Sequence, residues 1–252
     1  MWRDIAERIR QKHRTLDYPR HEPVLPARFQ GRPVVSNEVA MDPAGPVPCC
    51  PTGALAIGPD HRLCLDTGKC LFCGECEKAC GGQGVTFTKE YRLTAGRREE
   101  LVVRGGEQKL ADAVNREAAR LFGRSLKLRE VSAGGCNACE ADTNVLNTLV
   151  FDLGRFGIQF VASPRHADGL LVTGPVTRNM ELALKKTYDA IPEPKIVIAV
   201  GACAISGGIY AGHSEVHCGV SELLPVDLFI PGCPPHPWTI LDGLLRVLGR
   251  LK

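Results

Sequence analysis

The sequence predicts an α/β protein, with a parallel sheet in its C-terminal half and a small cysteine-rich segment before it. From residue 126 onward, apolar runs alternate with amphipathic helical patterns, which is typical of a parallel sheet covered by helices on both faces. Residues 49–88 instead combine cysteines, glycines and short β-prone runs, and are too poor in apolar residues to fold without a metal. The chain of 252 residues, 44% of them hydrophobic, is long enough for both parts.

The N-terminal stretch, Trp2–Gln11, predicts an amphipathic helix. Trp2, Ile5 and Ile9 fall on one face at helical spacing, and the opposite face is basic. Such a face docks on the rest of the protein or on a partner, or it binds a membrane surface. The pattern alone leaves these alternatives open.

An extended arm, the cysteine-rich segment and a connecting helix are predicted between this helix and the sheet. Residues 17–47 are rich in proline and arginine and are expected to be extended, whereas residues 106–123 predict a connecting helix that is followed by glycine. The predicted divisions are an N-terminal helix and arm over residues 1–47, a cluster-binding segment over 48–104, a linker helix over 105–125 and the sheet domain over 126–252.

Five strands and three helices are predicted after residue 126. The strands are expected in LKLREVSA, IQFVASP, GLLVTGP, KIVIAVGAC and VDLFIPGCPP, and the helices in NVLNTLVFDLGRFG, in residues 179–190 and in WTILDGLLRVLGRL. Neither GxGxxG nor GxxxxGK[ST] occurs, so no nucleotide site is predicted.

Charge and cysteine content restrict the class of protein. A net charge of only +3 gives nucleic-acid binding no electrostatic support, so no nucleic-acid partner is expected. The first residues are charged and lack the apolar core of a signal peptide, and no apolar run reaches membrane-spanning length. With no export signal in view, the 12 cysteines indicate metal ligation in a reducing compartment in preference to disulfides.

Four of the cysteines stand where predicted strands end. Cys136 and Cys139 follow the first strand, Cys203 the fourth and Cys233 the fifth. Because ligands of an open parallel sheet bind beyond the carboxyl ends of its strands, we expect the four thiols to meet at one edge. Four converging thiolates suit a 4Fe–4S cluster or zinc, and the plainer alternative is four core cysteines.

The C-terminal half resembles the small subunit of nickel–iron hydrogenases, in particular the membrane-associated, energy-converting branch that includes formate hydrogenlyase. The same family contains the cluster-carrying subunit next to the quinone site of respiratory complex I. The resemblance covers residues 126–252 and is carried by LREVSAGGCNACEADTNVL, FVASPRHADGLLVTGPVTRNM, VIAVGACAISGG and PVDLFIPGCPPHPWTILDGLL. It implies a flavodoxin-like fold and a proximal 4Fe–4S cluster held by Cys136, Cys139, Cys203 and Cys233. Cys136 and Cys139 are in C-x2-C spacing, as in hydrogenases, whereas the complex I protein has adjacent cysteines there.

The family's acidic residue after this cysteine pair aligns best with Asp142, where glutamate is usual, and Glu140 is a neighbouring candidate. The resemblance places this acid near a subunit interface and implies a part in proton movement. Alternatively, both carboxylates cap the helix that follows the cysteine loop, because anions are stabilised near a helix N-terminus.

A second cysteine set lies in the N-terminal half, in the run KCLFCGECEKAC. Its members Cys70, Cys73, Cys76 and Cys80 have the spacing C-x2-C-x2-C-x3-C. With GRPV, CPTGALAI and FTKEYRL, this run resembles the two-cluster ferredoxin-like subunits of complex I and formate hydrogenlyase, which implies a small α+β ferredoxin-like domain. In such ferredoxins the fourth cysteine of each run ligates the other cluster.

That rule makes Cys50, in CPTGALAI, the fourth ligand of a cluster held by Cys70, Cys73 and Cys76. Cys49 is its rival, but the proline after Cys50 favours Cys50. The ligands of the other cluster are missing, since their positions hold Ala40, Pro43 and Pro46. Cys80 is therefore predicted to be a spare thiol.

Three further features carry weaker signals. Cys64, in the β-prone run RLCLD, is predicted to be a core residue. The HxxxH spacing of His213 and His217, followed by Cys218, suits zinc on a helix, although a loop with incidental histidines fits better. His236 follows the Cys233 loop and either donates a hydrogen bond to a cluster sulfur or lies in solvent.

These features predict an electron-transfer subunit of a membrane-associated nickel–iron hydrogenase-type complex. Two 4Fe–4S clusters would relay electrons between an external donor or acceptor protein and a catalytic large subunit that holds the nickel. Other iron–sulfur or membrane subunits are expected as partners, and this cytoplasmic chain is expected to be held at the cytoplasmic face of the membrane through them. The alternatives are the equivalent subunit of a complex I-like oxidoreductase without nickel, which uses quinone or another acceptor, and a zinc-stabilised structural adaptor.

Overall fold

The computed structural model describes residues 2–12, 14–36, 47–58, 61–105, 108–111, 122–123 and 125–251. Helix α1 (Trp2–Gln11) has the predicted bounds, and none of its residues is buried against the described part of the chain. The arm that follows it begins on the C-terminal domain, where the Leu16 N–H donates to the Val150 carbonyl at 2.9 Å.

The N-terminal module is built from two small antiparallel sheets. Its elements are β1 (Pro33–Val35), β2 (Leu55–Ile57), β3 (Leu63–Asp66), α2 (Glu75–Ala79), β4 (Val85–Phe87) and β5 (Val102–Val103). Strand β1 pairs with β4, and β3 lies between β2 and β5. Buried apolar side chains such as Leu55 and Leu65 form its core together with the thiols of Cys70 and Cys76.

The C-terminal domain contains one five-stranded sheet whose strands are all parallel. Its elements are β6 (Leu126–Ser132), α3 (Ala138–Val145), β7 (Ile158–Phe160), β8 (Gly169–Thr173), α4 (Arg178–Ala190), β9 (Ile196–Val200), α5 (Ala202–Ser206), β10 (Leu228–Ile230) and α6 (Pro237–Val247). The strands lie in the order β7-β6-β8-β9-β10. This is the flavodoxin-like order, in which the second strand of the chain lies at an edge beside the first. The predicted α/β sheet domain is confirmed.

Helices cover both faces of this sheet. On one face, α6 packs Ile240, Leu241 and Leu244 against strand residues such as Leu128, and Leu146 after α3 joins them. On the other face, Leu184 of α4 and Ile205 of α5 pack against strand residues of the opposite set. Strands β8, β9 and β10 are buried along their whole length, which explains why they appear in the sequence as continuous apolar runs.

The helix predicted in NVLNTLVFDLGRFG is wrong in position. Helix α3 begins at Ala138, inside the cysteine loop, and ends at Val145; a single 3-10 turn, Leu153–Phe156, follows it. Asn137 adopts a left-handed conformation with φ 71°, which ends the loop and lets the helix start immediately. The linker helix predicted over residues 106–123 lies largely outside the described residues.

The arm is fixed to α6 by a buried polar contact. The Tyr18 hydroxyl donates to Asp242 Oδ1 at 3.1 Å, and Arg246 Nε donates to Asp242 Oδ2 at 2.7 Å. The Tyr18 ring also packs on Trp238, with 5.0 Å between ring centroids. Along the described ranges, no helix combines the length and the apolar character needed to cross a membrane.

Candidate metal centres

The structure brings the C-terminal cysteine set together at the carboxyl edge of the sheet. Cys136 and Cys139 follow β6, Cys203 lies in the first turn of α5 after β9, and Cys233 follows β10. Burial raises the pKa of the Cys139 thiol, and the nearby Glu140, Cys203, Cys233 and Cys136 raise it further. The pKa of Cys203 is likewise raised to about 11, first by burial and then by Cys233 and Cys136. The four thiols therefore influence one another electrostatically.

Two glycines keep the space beside these sulfurs free of side chains. A Cβ added at Gly201 would lie 2.5 Å from the Cys139 sulfur, and one at Gly208 would lie 2.8 Å from the Cys203 sulfur. Both residues also have positive φ values, 90° and 56°, which other residues rarely adopt. Any larger residue at either position would displace a thiol of the set.

The two acids after the Cys139 loop have different surroundings. Glu140 is buried, and its Oε1 accepts hydrogen bonds from Ser132 Oγ at 2.5 Å and from Thr173 Oγ1 at 2.7 Å. Asp142 is half-buried, burial raises its pKa, and it lines a cleft between the two parts of the chain. The hydrogen bonds of Glu140 thus join α3 to the sheet, which differs from the alternative that this carboxylate caps the helix.

The N-terminal set lines a small cavity of its own. Its lining includes the four thiols of Cys50, Cys70, Cys73 and Cys76. Apolar side chains such as Leu55, Leu65 and Phe87 complete it. Neither Cys49 nor Cys80 is among the residues that line it.

Cys50 and Cys49 differ in the neighbouring groups that shift the pKa of their thiols. Burial raises the pKa of Cys50, but hydrogen bonds from the backbone and side chain of Thr52 and from the backbones of Leu55 and Ala54 lower it more, so that the net shift is downward. The Ala54 N–H lies 3.2 Å from the Cys50 sulfur. The pKa of Cys49 is instead raised, first by burial and then by Cys50. Since the thiolate is the metal ligand, Cys50 has the better environment.

Two other thiols of this cavity, those of Cys70 and Cys76, are buried. Burial raises the pKa of Cys70 and of Cys76 to about 12, and neighbouring thiols add to the effect. The Phe72 N–H donates to the Cys70 sulfur at 3.3 Å, which favours the thiolate in part. A bound cation would remove the remaining penalty, because it stabilises the deprotonated form. Cys80 lies at the C-terminal end of α2, outside the cavity.

A cleft of about 250 Å³ lies between the loop of the N-terminal set and the loop that carries Cys233. Leu71 and Phe72, from the loop of the N-terminal set, line one side, and residues 231–236, around Cys233, line another. Cys73 is one of the groups that raise the pKa of Cys233, after burial and Cys136. The loops of the two sets therefore border the same cleft, and Cys233 is the cysteine among the residues that line it.

The structure shows the surroundings of Cys64, His217 and Cys218, the residues that carried weaker sequence signals. Cys64 is not in the core: it is half-buried on β3, where side chains alternate and its neighbours Leu63 and Leu65 point inward. His217 lies 2.9 Å from Glu181 and 3.4 Å from Glu222, so carboxylates surround it. Cys218 is exposed.

His236 is the N-cap of α6, a role that the sequence did not indicate. Its Nδ1 accepts a hydrogen bond from the Trp238 N–H at 3.2 Å, and burial lowers its pKa. The neutral ring therefore carries its proton on Nε2. Histidine is an unusual N-cap, which is why residue preference gave no signal here.

The comparisons with known proteins concern the C-terminal domain. The family model described as the 20 kDa subunit of NADH ubiquinone oxidoreductase matches residues 136–247. This match begins at Cys136, so it does not include the N-terminal cysteine set.

Curated relatives belong to several kinds of complex. A probable membrane-bound hydrogenase subunit, mbhJ, of Pyrococcus furiosus is 42% identical over 135 residues, which are 54% of this chain and 81% of that protein. Formate hydrogenlyase subunit 7 of Escherichia coli is 46% identical over 129 residues, 51% of each chain. A subunit of the NADH-quinone oxidoreductase of Citrifermentans bemidjiense is 45% identical over 117 residues, 46% of this chain and 68% of that one.

Among solved structures, a chain of the membrane-bound sulfane sulfur reductase, an archaeal respiratory membrane complex, is 33% identical with a TM-score of 0.47. The match covers 54% of this chain and 75% of that chain. A chain of an NAD+-reducing [NiFe]-hydrogenase is 24% identical with a TM-score of 0.40, over 51% of this chain and 94% of that one.

Proposed function

This chain belongs to the family of the 20 kDa subunit of NADH ubiquinone oxidoreductase and is a subunit of an oxidoreductase complex, and we propose that it relays electrons through two 4Fe–4S clusters. One cluster would receive electrons from a redox partner, and the other would exchange them with the catalytic large subunit of a nickel–iron hydrogenase-type complex. The observation that carries the proposal is that the chain forms two sets of four thiols, one lining a single cavity and one at the carboxyl edge of the sheet, whose loops border one cleft.

The cluster beside the sheet would be held by Cys136, Cys139, Cys203 and Cys233. A 4Fe–4S cluster is proposed here in preference to a single zinc ion, because the relatives are subunits of oxidoreductase complexes and zinc has no redox chemistry. Zinc requires four ligands at about 2.0–2.3 Å from a single centre, whereas each thiolate of a 4Fe–4S cluster binds its own iron. The glycine positions beside two of the sulfurs leave room for such a group.

The other cluster would be held by Cys50, Cys70, Cys73 and Cys76, the thiols that line the N-terminal cavity. Cys80 would remain a free thiol. The positions expected to hold the ligands of a further cluster, Ala40, Pro43 and Pro46, lie outside the described residues, but none of these side chains carries a sulfur.

A hydrogenase-type partner is favoured over a complex I-like one by the C-x2-C spacing of Cys136 and Cys139. The curated relatives include subunits of both kinds, so the spacing is the feature that discriminates. The large subunit encoded with this chain should contain two CxxC pairs if it holds nickel. Their absence would favour the nickel-free alternative, with quinone or another acceptor.

Asp142 and Glu140 are proposed to assist proton movement beside the sheet cluster. Asp142 lines the cleft and is half-buried, so it can exchange protons with a partner surface. Glu140 lies deeper, where it accepts hydrogen bonds from Ser132 and Thr173. Its carboxylate would serve as a proton acceptor close to Cys139.

Helix α1 is proposed to attach the chain to the cytoplasmic face of a membrane. Residues 2–14 carry five basic and two acidic side chains, which equals the whole net charge of +3; the other 26 basic and 26 acidic side chains of the chain balance. Trp2 and Ile9 are 80% and 72% exposed. At about 100° per residue, Arg3 and Arg8 flank this apolar stripe, an arrangement typical of helices that lie on anionic lipid surfaces.

Metal and sulfide analysis of the anaerobically purified full chain, with EPR of the reduced protein, tests the proposal. Two 4Fe–4S clusters predict about eight irons and about eight acid-labile sulfides per chain. A colourless protein that contains zinc and no labile sulfide would support the structural adaptor instead.

A further inference from the structure

We propose that two residues of the N-terminal arm, Phe29 and Gln30, act as a strap that holds the loop of Cys73 against the loop of Cys233. The strap would fix the separation across which electrons pass between the clusters. This inference rests on the proposed function, since it concerns how the chain positions its two cluster sites.

Gln30 packs directly on the backbone that follows Cys73. A Cβ added at Gly74 would clash with the side-chain amide nitrogen of Gln30, so this amide sits against the glycine and would have to shift for any larger residue. Gly74 has a φ of 73° and precedes the first turn of α2. The contact therefore fixes the point at which the Cys73 loop turns into the helix that carries Cys76.

Phe29 packs on the other cluster loop through His236. Their ring centroids are 5.3 Å apart with an interplanar angle of 77°, an edge-to-face arrangement. His236 cannot rotate freely, because its Nδ1 accepts the Trp238 N–H at the start of α6. Phe29 thus contacts a rigid part of the loop that carries Cys233.

Both ends of the strap are anchored to the rest of the chain. Downstream, the Gly31 N–H donates to the Thr88 carbonyl at 2.8 Å, and the Lys89 ammonium donates to the Phe29 carbonyl at 2.5 Å. Upstream, Tyr18 donates to Asp242 of α6 at 3.1 Å. The arm therefore spans the N-terminal module and the C-terminal domain under hydrogen-bond constraint at each side of Phe29 and Gln30.

Electron tunnelling weakens steeply as the separation of donor and acceptor grows. Leu71 and Phe72, which precede Cys73, line the cleft together with Cys233. Residues 28–30 line the same cleft as residues 231–236. A small outward movement of either loop would lengthen the electron path without removing any thiol ligand.

The test is EPR of the full chain with both clusters loaded and reduced. The wild type should show the broadened, fast-relaxing spectrum of two magnetically interacting clusters. The double variant Phe29→Ala/Gln30→Ala should keep its iron content and lose this interaction, giving two independent signals. The single variant Phe29→Leu, which retains Gln30 and keeps an apolar side chain against His236, should retain the interaction between the clusters. Val24→Ala, on the same arm but 98% exposed, should leave it unchanged.

An interaction that persists in the double variant would overturn the strap. Loss of iron from both Phe29→Ala and Gln30→Ala would also overturn it, because the two residues would then be needed to form the cluster sites. If the wild type holds about eight irons but its clusters do not interact, the strap fails while the proposed function stands. If the wild type holds only about four, the proposed function itself fails.

Discussion

The ring of Phe29 meets the ring of His236 edge-on, with 5.3 Å between their centroids. The two residues come from opposite ends of the chain, one from the arm before the N-terminal cysteine set and one from the loop after Cys233. Their contact means that the two parts of the protein are joined at the cleft between the cysteine sets. The distance between those sets is therefore determined by packing within this chain.

Substitution distinguishes the cysteines predicted to ligate the N-terminal cluster from those predicted not to. Cys50→Ala should lower the iron content by about four atoms per chain, because Cys50 lines the cavity and is the most acidic candidate for the fourth ligand. Cys80→Ala should leave the iron content unchanged, and Cys64→Ala on β3 is a matched control. Iron analysis of the three variants decides the matter. Loss of a cluster in Cys80→Ala, with Cys50→Ala unaffected, would reverse the assignment.

The Glu130 carboxyl should make the stability of the folded protein depend on pH. Burial, and then the Glu140 carboxylate, raises the pKa of Glu130 to about 7 from 4.5, and its Oε1 is buried with no hydrogen-bond partner among the described residues. Because the pKa of Glu130 is higher in the folded state than in the unfolded state, this residue contributes stability to the folded protein below pH 4.5. That contribution is lost as the pH rises through about 7. Glu130→Gln should therefore match the wild type at about pH 5 and exceed it at about pH 8 by about 1 to 2 kcal/mol, a figure reduced for partial exposure.

Unfolding free energies measured by denaturant titration at several pH values between about 5 and about 8 would show this divergence. Glu99→Gln, at an exposed surface position, is the control. Equal stability differences at both ends of the range would contradict the account.

Glu140 should contribute to stability through its buried hydrogen bonds. Glu140→Ala leaves the hydroxyls of Thr173 and Ser132 without this acceptor, and Thr173 is fully buried. The expected loss is about 1 to 3 kcal/mol of unfolding free energy. Asp142→Ala, at a half-buried position, should cost less, and thermal unfolding of both variants compares them. A larger loss for Asp142→Ala would mean that Glu140 does not tie α3 to the sheet.

Helix α1 should bind anionic vesicles. The full chain is expected to sediment with vesicles that contain phosphatidylglycerol, and less with neutral phosphatidylcholine, because basic side chains flank the apolar stripe. Ile5→Ser/Ile9→Ser should abolish binding, whereas Val24→Ser, at another exposed apolar position, should not. Added salt should weaken binding. Equal sedimentation of wild type and the double serine variant would assign α1 to a protein partner.

The sheet domain was largely predictable from the sequence because its signals are local. Apolar runs such as that of β9 mark strands buried on both faces, and cysteines that directly follow strands must lie at the carboxyl edge. Helix α5 was not predicted, since its five residues are too few to show a helical period.

Contacts between distant residues were not accessible to the same reasoning. The sequence offered Glu140 as a candidate acid, but its acceptor role depends on Thr173, which the parallel pairing of β6 and β8 brings alongside. Likewise, the packing of Gln30 on Gly74 depends on how the arm crosses both parts of the chain. Such pairings are fixed by tertiary structure.

The content of iron and labile sulfide in the anaerobically purified full chain tests the central claim most directly. Eight thiols in two sets predict about eight irons and eight sulfides per chain, and reduced protein should give EPR signals of two 4Fe–4S clusters. A protein with zinc and no labile sulfide, or with about four irons, would contradict the claim that this chain passes electrons between two clusters.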